Sequence, residues 1–187
     1  MAKVTLDMVL EYAQVFEKNM DKGNAESTEK WLRDLAKSGG QTKVNCYFTS
    51  EDQIAELEKQ GFEATGINPK NGEAFNRIKD GNPEFGIGKY IVLKRPLKDV
   101  KEFKNKKTGE FEEMDFGGLP KIVDLRDFPN KRYWDVEVDG ELGNGTEAKV
   151  QFDLYKGTPK RLEAIGVTNL VEWSAMDNEE DELFKVA

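Results

Sequence analysis

A strictly alternating segment late in the chain restricts the possible folds more than any other feature. Apolar and polar side chains alternate over residues 148–155, which is the period of two of a half-buried strand. Residues 156–159 predict a turn, and a second long strand follows over 160–173. The apolar residues of this second strand change face beside Gly166, which indicates a bulge or a sharp bend. Such an irregularity can curl a sheet towards a barrel.

Three more short segments predict that β structure dominates the chain. Residues 90–95 and 121–125 each have the composition of a short strand, and residues 43–49 place apolar side chains on one face. Many short strands joined by glycine-containing connections are typical of a β-barrel or a β-sandwich. The sequence therefore predicts a mainly β fold.

Helical signals are fewer. Ser50 and Gln53 have the spacing of a capping box, so a helix is expected to begin there. A second, shorter helix is expected to begin at Ser27 and to end at a glycine pair after residue 38. Residues 6–20 are ambiguous, because their apolar residues suit both a helix and an alternating strand.

Missing residue types exclude several kinds of chemistry. The chain has no histidine and one cysteine, Cys46. Histidine-dependent catalysis, histidine metal sites, internal disulfides and cysteine zinc clusters are therefore excluded. No apolar run approaches the ~18 residues that a membrane helix needs, and no signal-peptide pattern is present, so a cytoplasmic protein without membrane contact is expected.

Charge is segregated along the chain. The formal net charge of -8 argues against a polyanionic partner, but residues 77–107 hold ten basic and four acidic residues. Residues 174–187 instead hold five acidic residues and one lysine. We therefore expect a folded domain over 1–173 and an acidic, flexible tail over 174–187, which serves either for interaction or only for solubility.

Aromatic side chains lie among the basic residues. Phe85 and Tyr90 are close in sequence to lysines and an arginine, and Phe103 lies in a lysine-rich segment that is expected to be a loop. Basic groups follow a phosphate backbone, while aromatic rings stack on unpaired bases. This pattern predicts binding of a single-stranded nucleic acid. The alternative is that the aromatic residues belong to the core and the lysines are only solvated.

Several segments resemble phage single-stranded-DNA-binding proteins, the group that includes the replication-fork protein of short-tailed coliphages. They are residues 12–18, 44–47 after a glycine pair, 120–124, and 142–150 followed by a strand that ends in Tyr155. The resemblance covers most of residues 4–173 in order. It implies an OB-fold, which is a five-stranded Greek-key barrel, here with one or two short helices and long loop insertions. It also implies that residues 9–18 form the first barrel strand.

The resemblance also implies a function. That function is sequence-independent binding and protection of single-stranded DNA during phage replication, recombination and repair, in the cytoplasm of the infected bacterium, with no cofactor and no catalysis. A homodimer is among the expected states. The acidic tail is expected to contact phage DNA polymerase, helicase or primase and to compete with DNA for its groove. The tail residues are Asp177, Glu179, Glu180, Asp181, Glu182 and Phe184.

The candidate DNA-binding residues are basic or aromatic and lie on the expected barrel strands. They are Tyr12, Lys18, Lys89, Tyr90, Lys94, Arg95, Lys149, Lys160 and Arg161. Trp134, beside Tyr133 and Arg132, is either a stacking platform or, as we favour, an anchor for its loop. The glycines around Asn144 either present amides to a phosphate or, as we favour, form a turn.

Two other classes of function stay open. A dense set of carboxylates suggests a magnesium site and a metal-dependent nuclease, although its spacing matches no known motif. This set is Asp124, Asp127, Asp135, Glu137 and Asp139. The third hypothesis is a phage regulatory or structural protein that binds partners without DNA.

Overall fold

The computed structural model describes residues 2–24, 26–69 and 85–173. The strands are β1 (Ala2–Gln14), β2 (Gln41–Phe48), β3 (Asn68–Pro69), β4 (Lys89–Pro96), β5 (Val100–Lys104), β6 (Phe111–Asp115), β7 (Lys121–Asp124), β8 (Arg132–Tyr133), β9 (Glu147–Tyr155) and β10 (Thr158–Asn169). The helices are α1 (Glu29–Ser38), α2 (Glu51–Lys59) and α3 (Val136–Asp139), with a 3-10 turn at Ala64–Gly66. The mainly β prediction is confirmed. The described ranges contain three helices, where one or two were expected.

Eight strands form one open sheet in the order β3-β4-β2-β1-β9-β10-β7-β8. Neighbouring strands are antiparallel, except that β10 and β7 are parallel. Within the described residues no ladder of hydrogen bonds closes this sheet into a barrel. The sheet nevertheless curls until β4 and β10 lie beside each other, and Arg95 Nη1 donates to the Leu162 carbonyl at 3.5 Å. β5 and β6 pair only with each other and form a separate ribbon.

β1 is the long curved strand around which this curl is built. Its first part pairs with β9, and its second part pairs with β2. A register shift between Glu11 and Gln14 accompanies a positive φ of 52° at Tyr12. The helical alternative for this segment is therefore wrong, and so are the bounds 9–18, because the strand begins at Ala2 and ends at Gln14. The bulge explains why no single alternation pattern covers the segment.

β9 and β10 form the antiparallel pair that the alternation predicted. The second strand covers Thr158–Asn169 and not 160–173. Three register shifts interrupt this pairing, between Pro159 and Arg161, between Leu162 and Ala164, and between Val167 and Asn169, while Gly166 itself pairs with Lys149. The irregularity predicted beside Gly166 is thus present on both sides of this residue. A Cβ at Gly166 would lie 2.3 Å from Leu125 Cδ1, so close packing explains this glycine.

The core fills the inside of the curl. It is built from the inward residues of β1, β2, β4, β9 and β10, with Ile54 and Leu57 of α2 packed against them. Fully buried members include Leu10, Cys46, Phe48, Val150, Phe152, Leu162, Ile165 and Val167. Burial raises the pKa of the Cys46 thiol, which keeps it protonated. On the outward side of β1 and β2, Val9 and Tyr47 form a second, small buried cluster with Phe85.

Both predicted helices form, but their caps differ from the prediction. Thr28, and not Ser27, caps α1, since its Oγ1 accepts a hydrogen bond from Trp31 N at 3.2 Å. Ser50 makes no side-chain cap at α2. Gln53 instead accepts from Thr49 N at 2.8 Å and donates to the Asp7 carbonyl at 2.7 Å, so it ties α2 to β1. None of the helices in the described ranges has the length and apolar character needed to cross a bilayer.

Candidate nucleic-acid interface

The outer face of β1, β2 and β4 carries an open hollow of about 670 Å³. Trp31 of α1 forms one side of the hollow, and Tyr12 of β1 lies in it with 43% of its surface exposed. The other lining residues are Gln14, Asp21, Gln41, Lys43, Asn45, Val92 and Lys94. Two predicted residues, Tyr12 and Lys94, are therefore brought together here with an aromatic residue that the sequence did not mark for binding.

Lys94 points into this hollow because of the pleat of β4. Ile91 and Leu93 are buried on the inner face, so Val92 and Lys94 emerge on the outer face. Lys94 Nζ lies 5.9 Å from the centroid of the Trp31 ring. Among the described residues Lys94 has no ion-pair partner. A cation and a ring are thus presented side by side to whatever occupies the hollow.

The orientation of Tyr12 depends on a distant turn. Tyr12 N donates to Asn144 Oδ1 at 2.8 Å, which fixes the backbone at the bulge. Gly143–Gly145 is the turn that we favoured, since Thr146 N donates to the Gly143 carbonyl at 3.2 Å. Asn144 therefore acts on the hollow through the backbone of Tyr12, a role that sequence alone does not suggest.

Lys43 and Asp21 form the main ion pair of the hollow, with Nζ and Oδ2 3.2 Å apart. Partial burial acts to raise the pKa of Asp21, but hydrogen bonds from Gly23 N and Lys43 outweigh it, so this pKa is lowered. Asp21 therefore stays ionised near neutral pH. It offsets Lys43 and leaves Lys94 as the dominant positive group.

Two further hollows continue the first one across the surface. A hollow of about 460 Å³ shares Trp31 and Gln41 with the first. A third, of about 320 Å³, shares Pro96 and Asp99 with the second. We call the three joined hollows the basic groove. Its lining includes seven basic residues, Lys37, Lys43, Lys94, Lys98, Lys101, Lys160 and Arg161, against four aspartates, and four aromatic residues, Tyr12, Trp31, Phe116 and Tyr155.

Arg95 points to the opposite side of β4 from Lys94. Its Nη2 donates to the Gly117 carbonyl at 3.1 Å, and burial lowers the pKa of its guanidinium. Arg161 Nη1 donates to the adjacent Phe116 carbonyl at 3.1 Å. Both arginines thus bind the backbone at the base of the β5-β6 ribbon. The structure places Arg95 inside the curl, whereas Arg161 also lines the third hollow.

Arg161 belongs to a partly buried ionic cluster. Its Nε lies 3.2 Å from Asp153 Oδ2 and hydrogen-bonds to Glu163. Burial raises the pKa of Asp153, and the neighbouring Glu163 carboxylate adds to this effect. The cluster anchors the Arg161 guanidinium at the wall of the third hollow.

Three predicted lysines lie outside the basic groove. Lys149 Nζ is 2.9 Å from Asp7, Lys89 Nζ is 2.7 Å from Glu51, and Lys18 Nζ is 3.8 Å from Glu137. These ion pairs are exposed, and such pairs stabilise a fold by about 0–1 kcal/mol. Their lysines can therefore exchange partners, but none of the three lines the hollows that hold Tyr12 and Lys94.

Tyr90 and Phe85 have core-like positions. Their ring centroids lie 4.9 and 5.2 Å from that of Tyr47, which is fully buried. Tyr47 donates to Glu11 Oε1 at 2.8 Å, and burial together with Glu11 raises the pKa of this phenol. The alternative of a core role is thus confirmed for Phe85, and half-buried Tyr90 packs beside it.

Two of the five carboxylates that suggested magnesium, Asp124 and Asp139, are bound by arginines. Arg126 and Arg132 both contact Asp124. Arg132 also makes a bidentate hydrogen bond to Asp139, with Nη2 2.7 Å from Oδ1 and Nη1 2.8 Å from Oδ2. Arg132 is the main reason that the pKa of Asp139 is lowered to about 2. Within the described ranges no three acidic or cysteine side chains are grouped as metal ligands.

Trp134 anchors its loop, as we favoured. Only 8% of its surface is exposed, and its Nε1 donates to the Gly140 carbonyl at 2.8 Å. Arg126 lies above the ring, with Cζ 5.0 Å from its centroid. Tyr133 next to it is exposed and lies outside the basic groove.

Sequence reasoning missed the lining residues of the basic groove that lie between the strands of the sheet. Trp31 and Lys37 were expected only as parts of a helix, and Phe116 follows a segment that was expected to be a loop but forms the ribbon. The tail residues Asp177, Glu179, Glu180, Asp181, Glu182 and Phe184 lie outside the described residues. No protein-family model, curated protein or solved structure matches this chain.

Proposed function

We propose that this protein binds single-stranded DNA along the basic groove and performs no reaction on it. The observation that carries the proposal is the pairing of accessible aromatic rings with lysines along three joined hollows. Trp31 pairs with Lys94, and Phe116 pairs with Lys101, whose Nζ lies 5.8 Å from the ring centroid. Stacking of one base contributes about 1–3 kcal/mol and is insensitive to sequence.

The charge distribution supports a polyanionic ligand in spite of the net charge. Lys94, Lys98 and Lys160 have no ion-pair partner among the described residues. Binding of phosphates to such groups releases counterions, so affinity is expected to fall steeply with salt. Stacking requires unpaired bases, which favours single-stranded over double-stranded DNA.

The curl of β4-β2-β1-β9-β10 supports a further proposal, that these five strands form a partly open OB-type barrel. In an OB-fold the second and third strands and the connections 1–2 and 4–5 contact the ligand. Here the second and third strands in chain order are β2 and β4, which carry Lys43 and Lys94. The first connection contributes Trp31, and Tyr155 and Lys160 flank the last turn.

The resemblance to phage proteins supplies the biological setting of the proposal. The protein coats and protects single-stranded DNA during phage replication, recombination and repair in the host cytoplasm. Residues 174–187 then contact phage polymerase, helicase or primase. An acidic segment covalently joined to a domain with a basic groove has a high effective concentration, so it also excludes weak ligands from the groove.

Labelled single- and double-stranded oligonucleotides, each with and without magnesium, test the proposal. We expect a salt-sensitive shift with the single strand and no cleavage. Magnesium-dependent cleavage would instead support a nuclease. Failure to bind either nucleic acid even at low salt would support the hypothesis of a protein that binds partners without DNA.

A further inference from the structure

The β5-β6 ribbon projects from the sheet without covering any core. All ten residues of its two strands are exposed, including the large apolar side chains Val100, Phe103, Phe111 and Met114. A two-stranded hairpin alone is marginally stable in water. Exposed apolar side chains on such an element indicate a surface that contacts a ligand.

The two faces of the ribbon differ in their position relative to the basic groove. Lys101 pairs with Met114 and Phe103 pairs with Glu112, so these four side chains share one face, which we call the inner ribbon face. Lys101 lines the third hollow, and the inner ribbon face therefore continues its wall. Val100 belongs to the opposite face and lines the second hollow.

The base of the ribbon is held in place although its strands are exposed. Arg95 and Arg161 bind the Gly117 and Phe116 carbonyls, and Phe116 N donates to the Asp99 carbonyl at 2.9 Å. A Cβ at Gly117 would lie 2.7 Å from the Leu97 carbonyl oxygen, so this close approach requires glycine. The ribbon therefore leaves the body of the protein in a defined direction.

The turn between β9 and β10 forms the opposite wall of the third hollow. Tyr155 is exposed there, and Lys156 Nζ lies 5.4 Å from its ring centroid. Lys160 stands beside it in the same hollow. Tyr155 and Lys160 thus line one side of the third hollow, and Phe116 and Lys101 line the other. Each side therefore offers one aromatic ring and one lysine.

The small area of the ribbon decides which partner it fits. Five residues extend about 17 Å and two strands about 10 Å, so one face covers about 170 Å². A stable protein interface needs about 800 Å² from each partner. A second copy of this chain therefore cannot be held by the ribbon alone. A strand of nucleic acid, which is already bound in the adjoining groove, needs only a few added contacts.

We infer that the inner ribbon face, opposite the β9-β10 turn, forms a clamp that extends the nucleic-acid path beyond the third hollow. This inference rests on the proposed function. In the clamp, Phe103 stacks on a base and Lys101 contacts the phosphate beside it. The clamp lengthens the stretch of DNA that one molecule covers, and it acts only on strands that are long enough to reach the ribbon.

Oligo-thymidines of about 6 and about 20 nucleotides test the clamp, because single-strand sites cover about 4–16 nucleotides per domain. The test variant is Lys101→Gln with Phe103→Ala. The matched control is Lys104→Gln with Phe111→Ala, which removes a lysine and a phenylalanine from the opposite face of the same ribbon. The test variant is expected to bind the long oligonucleotide at least about fivefold more weakly, the loss of one stacked base. The control variant and the short oligonucleotide are expected to show less than a twofold change.

Other outcomes overturn the clamp in distinguishable ways. If the test variant binds both oligonucleotides with wild-type affinity, the clamp is ruled out, but the proposed function is not. Equal losses in both variants remove the assignment to the inner ribbon face. A shift from dimer to monomer in the test variant, seen by sedimentation, shows that the ribbon serves a second copy. If the unaltered protein binds neither length, the proposed function itself fails. Unchanged unfolding midpoints verify that these exposed substitutions leave the fold intact.

Discussion

Lys94 and Arg95 are neighbours in the chain whose side chains leave β4 on opposite faces. Lys94 Nζ lies 5.9 Å from the Trp31 ring centroid in the basic groove, whereas Arg95 Nη2 donates to the Gly117 carbonyl inside the curl at 3.1 Å. Lys94 thus faces the basic groove, and Arg95 supports the ribbon. Substitutions at these two adjacent positions should therefore affect different properties.

Reversing the charge of Lys94 should weaken binding to single strands of every sequence. Lys94→Glu removes a phosphate contact, so the slope of log affinity against log salt should fall by about 1. Fluorescence anisotropy with oligo-thymidine between low and moderate salt measures this. Lys59→Glu, on α2 and outside the groove, is the matched control and should leave the slope unchanged. An unaltered slope in Lys94→Glu would place the phosphate path elsewhere.

Replacing Arg95 should instead lower the free energy of unfolding. Arg95→Met keeps most of the side-chain volume but removes a charged hydrogen bond, a loss of about 1.5–3 kcal/mol. Urea unfolding followed by circular dichroism measures the change. The folded variant should bind a short oligonucleotide with nearly wild-type affinity. A binding defect with unchanged stability would mean that Arg95 contacts the ligand.

Substitutions of Trp31 and Trp134 should likewise have different effects, the first on the affinity for oligonucleotides and the second on the free energy of unfolding. Trp31→Ala should weaken oligonucleotide binding by about 1–3 kcal/mol, because it removes one stacking surface. Binding should also quench the fluorescence of the unaltered protein, and this quenching should be reduced in Trp31→Phe. Trp134→Ala should cost about 3–5 kcal/mol of stability, since Trp134 packs in the core. Undiminished quenching in Trp31→Phe would argue against stacking at this position.

The Arg132–Asp139 pair should make stability depend on acid pH. The pKa of Asp139 falls from an ordinary value of 3.8 to about 2 in the folded chain. The stabilisation from its carboxylate is therefore complete above pH 4 and is lost as the pH falls towards 2. Asp139→Asn lacks this stabilisation at every pH. The difference in unfolding free energy between the two proteins should thus shrink between pH 4 and pH 2, and a constant difference would contradict the assignment.

Removing residues 174–187 should tighten binding to single-stranded DNA, because a competing negative charge is lost. Anisotropy at low salt should show the largest gain, since salt screens the competition. A full-length variant in which the five acidic residues of the segment become Asn or Gln is the matched control. It should bind as tightly as the truncated chain. Equal or weaker binding by both variants would rule out competition by the segment.

Much of the strand content could be predicted because burial follows local alternation. The inward set of β9 alternates without interruption, and the structure buries Ala148, Val150, Phe152 and Leu154 as expected. The same rule applied to β4 separates Lys94 from Arg95. The sequence prediction did not use it and assigned both residues to the ligand.

The remaining features depend on contacts between distant segments. The bulge at Tyr12 is held by Asn144, 132 positions away, and no local pattern specifies it. Trp31 was assigned to the apolar stripe of α1, yet of that stripe only Leu35 is buried. The basic groove forms where α1, the pair of β2 and β4, and the base of the β5-β6 ribbon come together. The periodicity of a sequence does not predict which distant elements lie side by side.

The bond between Tyr12 and Asn144 also fixes when during synthesis the groove is completed. A nascent chain that has emerged only as far as β8 already contains Trp31 and Lys94. It still lacks Asn144, and it lacks the turn whose Gly145 N donates to the Leu10 carbonyl at 2.9 Å. Tyr12 in β1 thus obtains the contact that fixes its backbone only when the Gly143–Gly145 turn, which is made later, arrives. A partly made chain therefore lacks the complete groove.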